Sequence, residues 1–416
     1  MHRRWGRNFR SDFLEAQWGR ALGHAPTGSA EYGECLAIAL QIRAGGETAV
    51  AWDKAWSDVA NKLCARAEAL VQTGDRVSAR ECYLRASNYY RTAYTPLLGM
   101  PGEHEARTKA LYGKHREAFD AAITLWDSIH AERVSIPYEN GLVLHGWVCR
   151  PASASVRRNR TLVINGGYDS TAEEAILFSG LAAVARGYTC VVFDGPGQGR
   201  ALFEQGLKFR PDWEAVVSRV VDFMVARDDV DASKVALLGI SFGGYLAPRA
   251  AAFEPRLAAL VADPGEISLF REFAARMPPF ALKQLNQAPS ERGGLRFMVL
   301  NHVLNKRAKS PEGPGWAMRR GMFVHGMSTP FDYLVETKRY TLEEFAGNIK
   351  CPTLVCRAEA DHIGVTAPVL FDALTGAAKK EYVTFLAAEG AGEHCEGGAR
   401  SVFNAKMFEF LNHAMA

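Results

Sequence analysis

Ser241 lies in the run Gly-Ile-Ser-Phe-Gly-Gly, residues 239–244, which has the pattern Gly-x-Ser-x-Gly. The short, mostly apolar run at residues 234–238 predicts a buried strand before it, and the alanine-rich run at residues 245–252 predicts a helix after it. A strand, a sharp turn and a helix form the context of a nucleophile elbow, in which small residues on either side of the serine relieve crowding at the turn. Ser241 is therefore predicted to be a nucleophile with its hydroxyl exposed at a helix N-terminus.

A serine nucleophile needs a base to remove its proton and a carboxylate to orient that base. In this strand-turn-helix context the chain order is serine, then acid, then histidine. Asp361 is the predicted acid, because it lies in the loop at residues 358–363 that follows a predicted strand at residues 351–357. Glu359 in the same loop, and Asp263 at the end of an earlier predicted strand, are alternative acids.

His394 is the predicted base, because it lies in the glycine-rich loop at residues 387–395 after the last predicted strand. The other histidines fit this role less well. His362 is adjacent to the predicted acid. His325 lies in a helical segment, where it either contacts the substrate or is a structural histidine whose ring nitrogens are hydrogen-bonded within the protein.

An acyl-transfer site also needs an oxyanion hole with two backbone donors. One is the N–H of Phe242, the residue after the nucleophile. The second is predicted at Tyr168, with Gly167 as the alternative, in the loop at residues 165–170 that follows a predicted strand. Paired glycines in this loop allow the backbone to approach a substrate closely. Asp169 either binds the substrate or a nucleophilic water, or caps the helix that follows.

The elements that must position these residues alternate between strand and helix from residue 132 to the C-terminus at 416. This alternation predicts an α/β fold with a mostly parallel, doubly wound sheet and helices on both faces. It begins with two strands at residues 133–138 and 142–150 joined by a tight turn. It is interrupted at about residues 266–350 by a helical insertion, which we expect to cover the site as a lid. Residues 1–131 are predicted to form a helical N-terminal domain.

Composition excludes several classes of partner. The chain has 416 residues, is 48% hydrophobic and carries a formal net charge of only +3, which does not favour nucleic acid or anionic membranes. No apolar run approaches the ~18 residues of a membrane span. Arg3 and Arg4 are followed by polar residues rather than the apolar core of an export signal, so we expect a cytoplasmic location.

Cofactors are not expected either. The eight cysteines are spread through the chain without a Cys-x-x-Cys pair, which favours reduced thiols and argues against a metal site. The glycine-rich run at residues 193–199 lacks the spacing of a dinucleotide fingerprint. The sequence therefore predicts an enzyme that works with its own side chains on a small-molecule substrate.

From about residue 133 onward, these motifs resemble the α/β-hydrolase superfamily. A closer resemblance covers nearly the whole chain, to the group that includes 2,6-dihydroxypseudooxynicotine hydrolase and the fungal yellowish-green type polyketide-shortening hydrolases. The segments that carry it are residues 74–80, 84–90, 166–171, 194–199 and 389–395. The resemblance implies a helical N-terminal domain beside the hydrolase core. It also implies a Ser-Asp-His triad, which corresponds to Ser241, Asp361 and His394. It also favours a homodimer.

The predicted reaction is hydrolysis of an acyl bond through an acyl-enzyme on Ser241. The resemblance implies a C–C bond beside a ketone in an aromatic or polyketide-like substrate of secondary metabolism or catabolism. Carbon leaves in such a retro-Claisen step only if its charge is delocalised, so the substrate must carry a conjugated ketone or phenol. The alternatives are a carboxylesterase or thioesterase, an acyltransferase or cyclase with the same triad, and a non-catalytic binding protein on this scaffold.

Overall fold

The computed structural model describes residues 7–153, 158–287, 294–311 and 313–416. Arg3 and Arg4, considered above as part of an export signal, lie outside the described residues. The chain divides into two compact units, one of residues 1–131 and 308–320 and the other of residues 132–307 and 321–416. In the part of the chain that the structure describes, no helix has both the length and the hydropathy that a membrane crossing requires.

The first unit is helical. Its helices are α1 (Asp12–Leu22), α2 (Tyr32–Ala44), α3 (Ala49–Gln72), α4 (Arg76–Tyr94) and α5 (Glu103–Ile123). Gly74, at φ 82°, lies between α3 and α4, and the Asp75 side chain caps the first turn of α4. Helix α5 ends at Ile123, and the first strand of the chain begins at Ile129.

The described residues of 308–320 pack with these N-terminal helices, whereas the sequence predicts them to be part of the insertion at residues 266–350. The indole N–H of Trp316 donates to the Thr95 carbonyl at 2.6 Å, and its ring lies 4.7 Å from the ring of Phe13. Helical periodicity reveals an apolar face but does not say which core that face will join.

Among the described residues, eight strands form one sheet, which belongs to the second unit apart from the first three residues of β1. The strands are β1 (Ile129–Pro137), β2 (Val143–Pro151), β3 (Asn159–Asn165), β4 (Thr189–Phe193), β5 (Val230–Ile240), β6 (Ala259–Asp263), β7 (Thr353–Ala358) and β8 (Lys380–Phe385). Their order is β1-β2-β4-β3-β5-β6-β7-β8. Strand β2 runs antiparallel to β4, and every pairing from β4 across to β8 is parallel. This is the predicted mostly parallel sheet.

Helices connect the strands and fill the insertion. They are α6 (Ala172–Ala175), α7 (Leu181–Val184), α8 (Gly199–Phe203), α9 (Glu214–Val225), α10 (Gly243–Ala251), α11 (Leu269–Ala274), α12 (Pro279–Leu285), α13 (Gly294–Ala308), α14 (Gly313–His325), α15 (Pro330–Glu336), α16 (Ala367–Ala373) and α17 (Arg400–Ala414). A π-helical turn, Ile176–Gly180, lies between α6 and α7. Helices α11 to α15 lie between β6 and β7.

The parallel sheet brings the predicted site residues to one edge. Strands β3, β5, β7 and β8 end at Asn165, Ile240, Ala358 and Phe385. The residues that follow them are the predicted oxyanion loop, the nucleophile, the acid loop and the base loop. Because the carboxyl ends of parallel strands meet at one edge, ligands bind there in open α/β sheets.

Candidate active site

Ser241 lies at the sharp turn between β5 and α10. Its φ is 59°, a left-handed conformation that side chains other than glycine rarely adopt. The turn is held by the Ser241 N–H, which donates to the Asp263 carbonyl at 2.7 Å. It is so tight that a Cβ on Gly239 would lie 2.0 Å from the carbonyl oxygen of Gly243. The Gly-x-Ser-x-Gly pattern therefore marks a strained backbone, as expected where a functional side chain must be exposed.

The structure brings Ser241, His394 and Asp361 into one hydrogen-bonded chain. The Ser241 Oγ lies 2.9 Å from His394 Nε2, and the His394 Nδ1 lies 2.6 Å from Asp361 Oδ2. A neutral imidazole fits both contacts when its Nδ1–H donates to the carboxylate and its Nε2 accepts from the hydroxyl. This arrangement can move the serine proton to the ring.

The Asp361 side chain is buried, with 3% of its surface exposed. Burial raises the pKa of this carboxyl, but the charge and hydrogen bond of His394, together with the N–H of Ile363 at 2.9 Å, outweigh burial. The net effect is a pKa below the usual value for aspartate. Asp361 is therefore ionised at neutral pH and able to stabilise an imidazolium.

The two alternative acids have other partners. Glu359 accepts a hydrogen bond from the Ala387 N–H at 2.8 Å. The Asp263 carboxylate pairs with Arg400, whose Nη1 lies 2.7 Å from Asp263 Oδ2. Of the three candidate carboxylates, Asp361 is the one that the structure places against His394.

The predicted oxyanion loop passes directly beside the serine. A Cβ on Gly167 would lie 2.6 Å from the Cβ of Ser241, so the loop backbone at this position borders that serine. Phe242 immediately precedes α10, and the N–H at that position has no acceptor within a helix. The rings of Phe242 and Tyr168 stack with their centroids 4.4 Å apart. The residues predicted to supply the two donors therefore pack against each other.

His325 is held between tyrosines. Its Nε2 lies 2.9 Å from the Tyr168 hydroxyl and its Nδ1 lies 3.1 Å from the Tyr340 hydroxyl. The Tyr168 hydroxyl is also 3.1 Å from that of Tyr333. Both ring nitrogens of His325 are therefore engaged by the protein, which favours the structural alternative over a substrate contact.

Asp169 is half-buried in the loop between Tyr168 and α6. The N-cap of α6 is Thr171, whose hydroxyl accepts from the Glu174 N–H at 3.2 Å. Thr171 therefore occupies the N-cap position of α6. The role of Asp169 toward substrate or water stays a prediction.

Two features near the site were not found from the sequence. The buried Gln198 side chain donates to the carbonyls of the oxyanion loop, and its place in the glycine-rich run at residues 193–199 was the only sequence signal. The second is a buried cluster in which Arg400 contacts Asp263 at 2.7 Å and Glu396 at 3.2 Å. Burial and the neighbouring Asp263 raise the pKa of Glu396 well above its usual value.

A doubly wound parallel sheet, with a serine at the strand-to-helix turn after β5 and a histidine after the last strand, defines an α/β hydrolase. The profile of the alpha/beta hydrolase family matches residues 142–398, and the chain belongs to this family. By family and by the names of its relatives, it is a hydrolase.

Similar proteins span the whole length of the chain. Hydrolase LUC6 of Fusarium sp is 34% identical, over 97% of this chain and 97% of the relative. The 20-hydroxy-prefusarin hydrolase FUS2 of Gibberella moniliformis is also 34% identical, over 98% of both chains. The crystal structure of 2,6-dihydroxy-pseudo-oxynicotine hydrolase matches with a TM-score of 0.73 at 21% identity, over 96% of each chain, and so shares the fold.

Proposed function

We propose that this hydrolase is a serine enzyme that works through an acyl-enzyme on Ser241. The observation that carries this proposal is the continuous hydrogen-bonded chain from Asp361 through His394 to the Ser241 hydroxyl. The aspartate lies 2.6 Å from one ring nitrogen of the histidine, and the serine hydroxyl lies 2.9 Å from the other. The three residues follow the chain order of the family. General-base activation of a serine requires this arrangement.

In the first step, Ser241 Oγ attacks a substrate carbonyl while its proton passes to His394 Nε2. Asp361 holds the ring in the required tautomer and stabilises the imidazolium. The N–H groups of Phe242 and Tyr168 donate to the oxyanion, each contributing about 3 kcal/mol in the transition state. Gly167 is the alternative second donor.

In the second step, the tetrahedral intermediate collapses and the leaving group takes the proton from His394. Water then attacks the acyl-enzyme, with His394 again acting as the base. An ester loses an alkoxide, whereas a β-diketone or acylphenol loses an enolate or ring carbanion. The two cases need the same triad and differ only in how the leaving atom carries its charge.

We favour cleavage of a C–C bond beside a ketone in an aromatic or polyketide-like small molecule. The support is the similarity over the full chain to relatives such as the 20-hydroxy-prefusarin hydrolase, together with the motifs named above. Ester and thioester hydrolysis, or acyl transfer with a nucleophile other than water, would use the same residues. Asp169, at the edge of the oxyanion loop, is proposed to contact the substrate or the attacking water.

The covalent step is tested by Ser241→Ala, with Ser233→Ala as the matched control. Ser233 lies in the same strand, is exposed and bonds to Asp231 at 2.6 Å. Ser241→Ala is expected to lower kcat by roughly 10⁶-fold while leaving substrate binding intact. A fluorophosphonate should label Ser241 in the wild type and in the control, as read by mass spectrometry of the peptide. More than a few per cent residual activity, or no labelling of folded wild type, would overturn the mechanism.

The bond type is tested by comparing a p-nitrophenyl ester with an acyl-matched β-diketone and an acyl-matched acylphenol. Release of the carboxylic acid from each is measured by chromatography with the wild type and with Ser241→Ala. Turnover of the carbon compounds that depends on Ser241 supports C–C hydrolysis. If only the ester turns over, the protein is an esterase and the C–C assignment is wrong.

A further inference from the structure

The Gln198 side chain is buried and donates hydrogen bonds to the backbone of the predicted oxyanion loop. Only 2% of Gln198 is exposed. Its Nε2 donates to the Gly166 carbonyl at 2.7 Å and to the Gly167 carbonyl at 2.9 Å, and its Oε1 accepts from the Gly195 N–H at 3.2 Å. Both hydrogens of the Gln198 side-chain amide are therefore bonded to consecutive peptides of one loop. The hydrogen bond that its Oε1 accepts from the Gly195 N–H fixes the orientation of this amide.

These bonds contribute to the direction of the N–H groups in the same peptides; the Asn165 side chain also donates to the Gly166 carbonyl, at 2.8 Å, whereas Gln198 is the side chain that reaches the Gly167 carbonyl. In a trans peptide the C=O and the following N–H point in opposite directions within one plane. The Gly167 carbonyl shares a peptide with the Tyr168 N–H, and the Gly166 carbonyl shares one with the Gly167 N–H. When Gln198 draws the two carbonyls to its side, it aims both N–H groups away from itself.

The loop needs such a restraint because of its composition. Consecutive glycines rotate at little steric cost, so the peptides on either side of Gly167 are easily turned. The same glycine borders the nucleophile, since a Cβ there would lie 2.9 Å from Ser241 Oγ. A misaligned peptide at this position would present a carbonyl, rather than an N–H, near the reacting atoms.

We propose that Gln198 is a positioning residue that orients the second donor of the oxyanion hole. This inference rests on the proposed serine mechanism and deepens it. It applies to either assignment of that donor, because each candidate N–H, that of Tyr168 or that of Gly167, shares its peptide with a carbonyl that Gln198 holds. Gln198 itself acts only through the loop.

The test is Gln198→Met, which keeps the length of the side chain and removes both donors. The matched control is Gln205→Met, because the Gln205 amide also bonds a backbone carbonyl, that of Val143 at 2.9 Å, at the start of β2. We measure kcat, KM and the Ki of an aryl trifluoromethyl ketone, which forms a tetrahedral adduct with the serine. The substrate is the one that the wild type turns over fastest.

Loss of a whole oxyanion donor lowers kcat by about 10²–10³-fold, so misorientation of one donor should lower it by about 10- to 100-fold. The Ki of the ketone should weaken in parallel with kcat/KM while KM changes little, because the donor acts in the transition state. Gln205→Met should keep wild-type values. Equal losses in KM and kcat, or an unchanged kcat in Gln198→Met, would overturn the inference.

Fluorophosphonate titration of Ser241 separates this inference from the mechanism on which it depends. If folded wild type is not labelled, the serine mechanism fails. If wild type is labelled and Gln198→Met keeps full kcat per labelled site, the positioning role alone fails. If the methionine variant does not fold, Gln198→Asn replaces it in the test. The asparagine side chain keeps an amide but is one methylene too short to reach both carbonyls. The same fall in kcat without a change in KM is then expected.

Discussion

Replacing Gly167 with alanine is expected to disable the enzyme while leaving it folded. Gly167 is the point at which the predicted oxyanion loop meets Ser241. An added Cβ would lie 2.6 Å from Ser241 Cβ, 2.9 Å from its Oγ and 3.0 Å from the Ile240 carbonyl oxygen. All three atoms belong to the elbow, whose backbone is fixed by the hydrogen bond from the Ser241 N–H to the Asp263 carbonyl.

The size of the effect follows from these distances. Carbon atoms in contact are ordinarily about 3.5–4.0 Å apart, so the loop must retreat from Ser241 by roughly 1 Å. A displacement of about 1 Å at a reacting centre lowers the rate by about 10²-fold. Overpacking of this kind typically lowers stability by about 1–3 kcal/mol, which a chain of this size is expected to survive. We therefore expect Gly167→Ala to lose about 100-fold in kcat/KM.

The assay is steady-state kinetics together with thermal unfolding, with Gly113→Ala as the control. A Cβ on Gly113, inside α5, meets no described atom within 4 Å. That substitution should raise stability by up to about 1 kcal/mol through helix propensity and leave kcat/KM unchanged. A Gly167→Ala variant with wild-type kcat/KM would refute the reasoning, because it would show that the loop moves freely away from the serine.

Three further predictions concern Asp361, Glu396 and His325. Asp361→Asn should lower kcat by about 10⁴-fold in steady-state assays, because the amide favours the wrong histidine tautomer; a fall below tenfold would contradict its role. Glu396→Gln should gain stability over the wild type as pH rises. Burial and the neighbouring Asp263 raise the pKa of Glu396 in the folded protein. The contribution of this group to the free energy of unfolding is therefore fully present below its unfolded pKa of about 4.3, and it is lost as the pH rises toward the folded pKa. Urea unfolding at pH 5 and pH 8 checks this, and an equal pH dependence of the two proteins would contradict it. His325→Phe removes a partner from the Tyr168 hydroxyl and should lower stability by about 1–3 kcal/mol with KM unchanged; an unchanged melting temperature with a raised KM would instead place His325 in substrate binding.

Local patterns explain why the sequence located the residues that meet at the sheet edge. A parallel strand is buried on both faces, so its central residues form an apolar run that can be recognised in the sequence. The observed β5 ends at Ile240, directly before the predicted nucleophile, and β7 ends at Ala358, three residues before Asp361. Chain order then selects the histidine after the last strand.

Contacts between distant parts of the chain could not be predicted in this way. The hydrogen bond between Tyr168 and His325 joins residues 157 positions apart, and that between Gln198 and Gly167 crosses 31. Neither pair has a spacing or a periodicity that a single sequence reveals, because the fold alone brings the partners together. The same reason explains why Asp263 was a plausible acid from its place at a strand end, while its actual partner, Arg400, lies 137 residues away.

Asp263 connects the turn at Ser241 with the loop that carries His394. Its carbonyl accepts the Ser241 N–H at 2.7 Å, and its carboxylate pairs with Arg400, which donates to the Cys395 carbonyl at 2.9 Å. Ser241 and Cys395 both have positive φ, 59° and 50°, and neither is glycine, so each strained turn needs a fixed partner. Since Cys395 is bonded through its backbone to His394, one residue restrains both ends of the serine–histidine hydrogen bond. Because a small shift in the distance between Ser241 and His394 is expected to weaken proton transfer, we expect the hydrogen bonds of Asp263 and Arg400 to help maintain that distance.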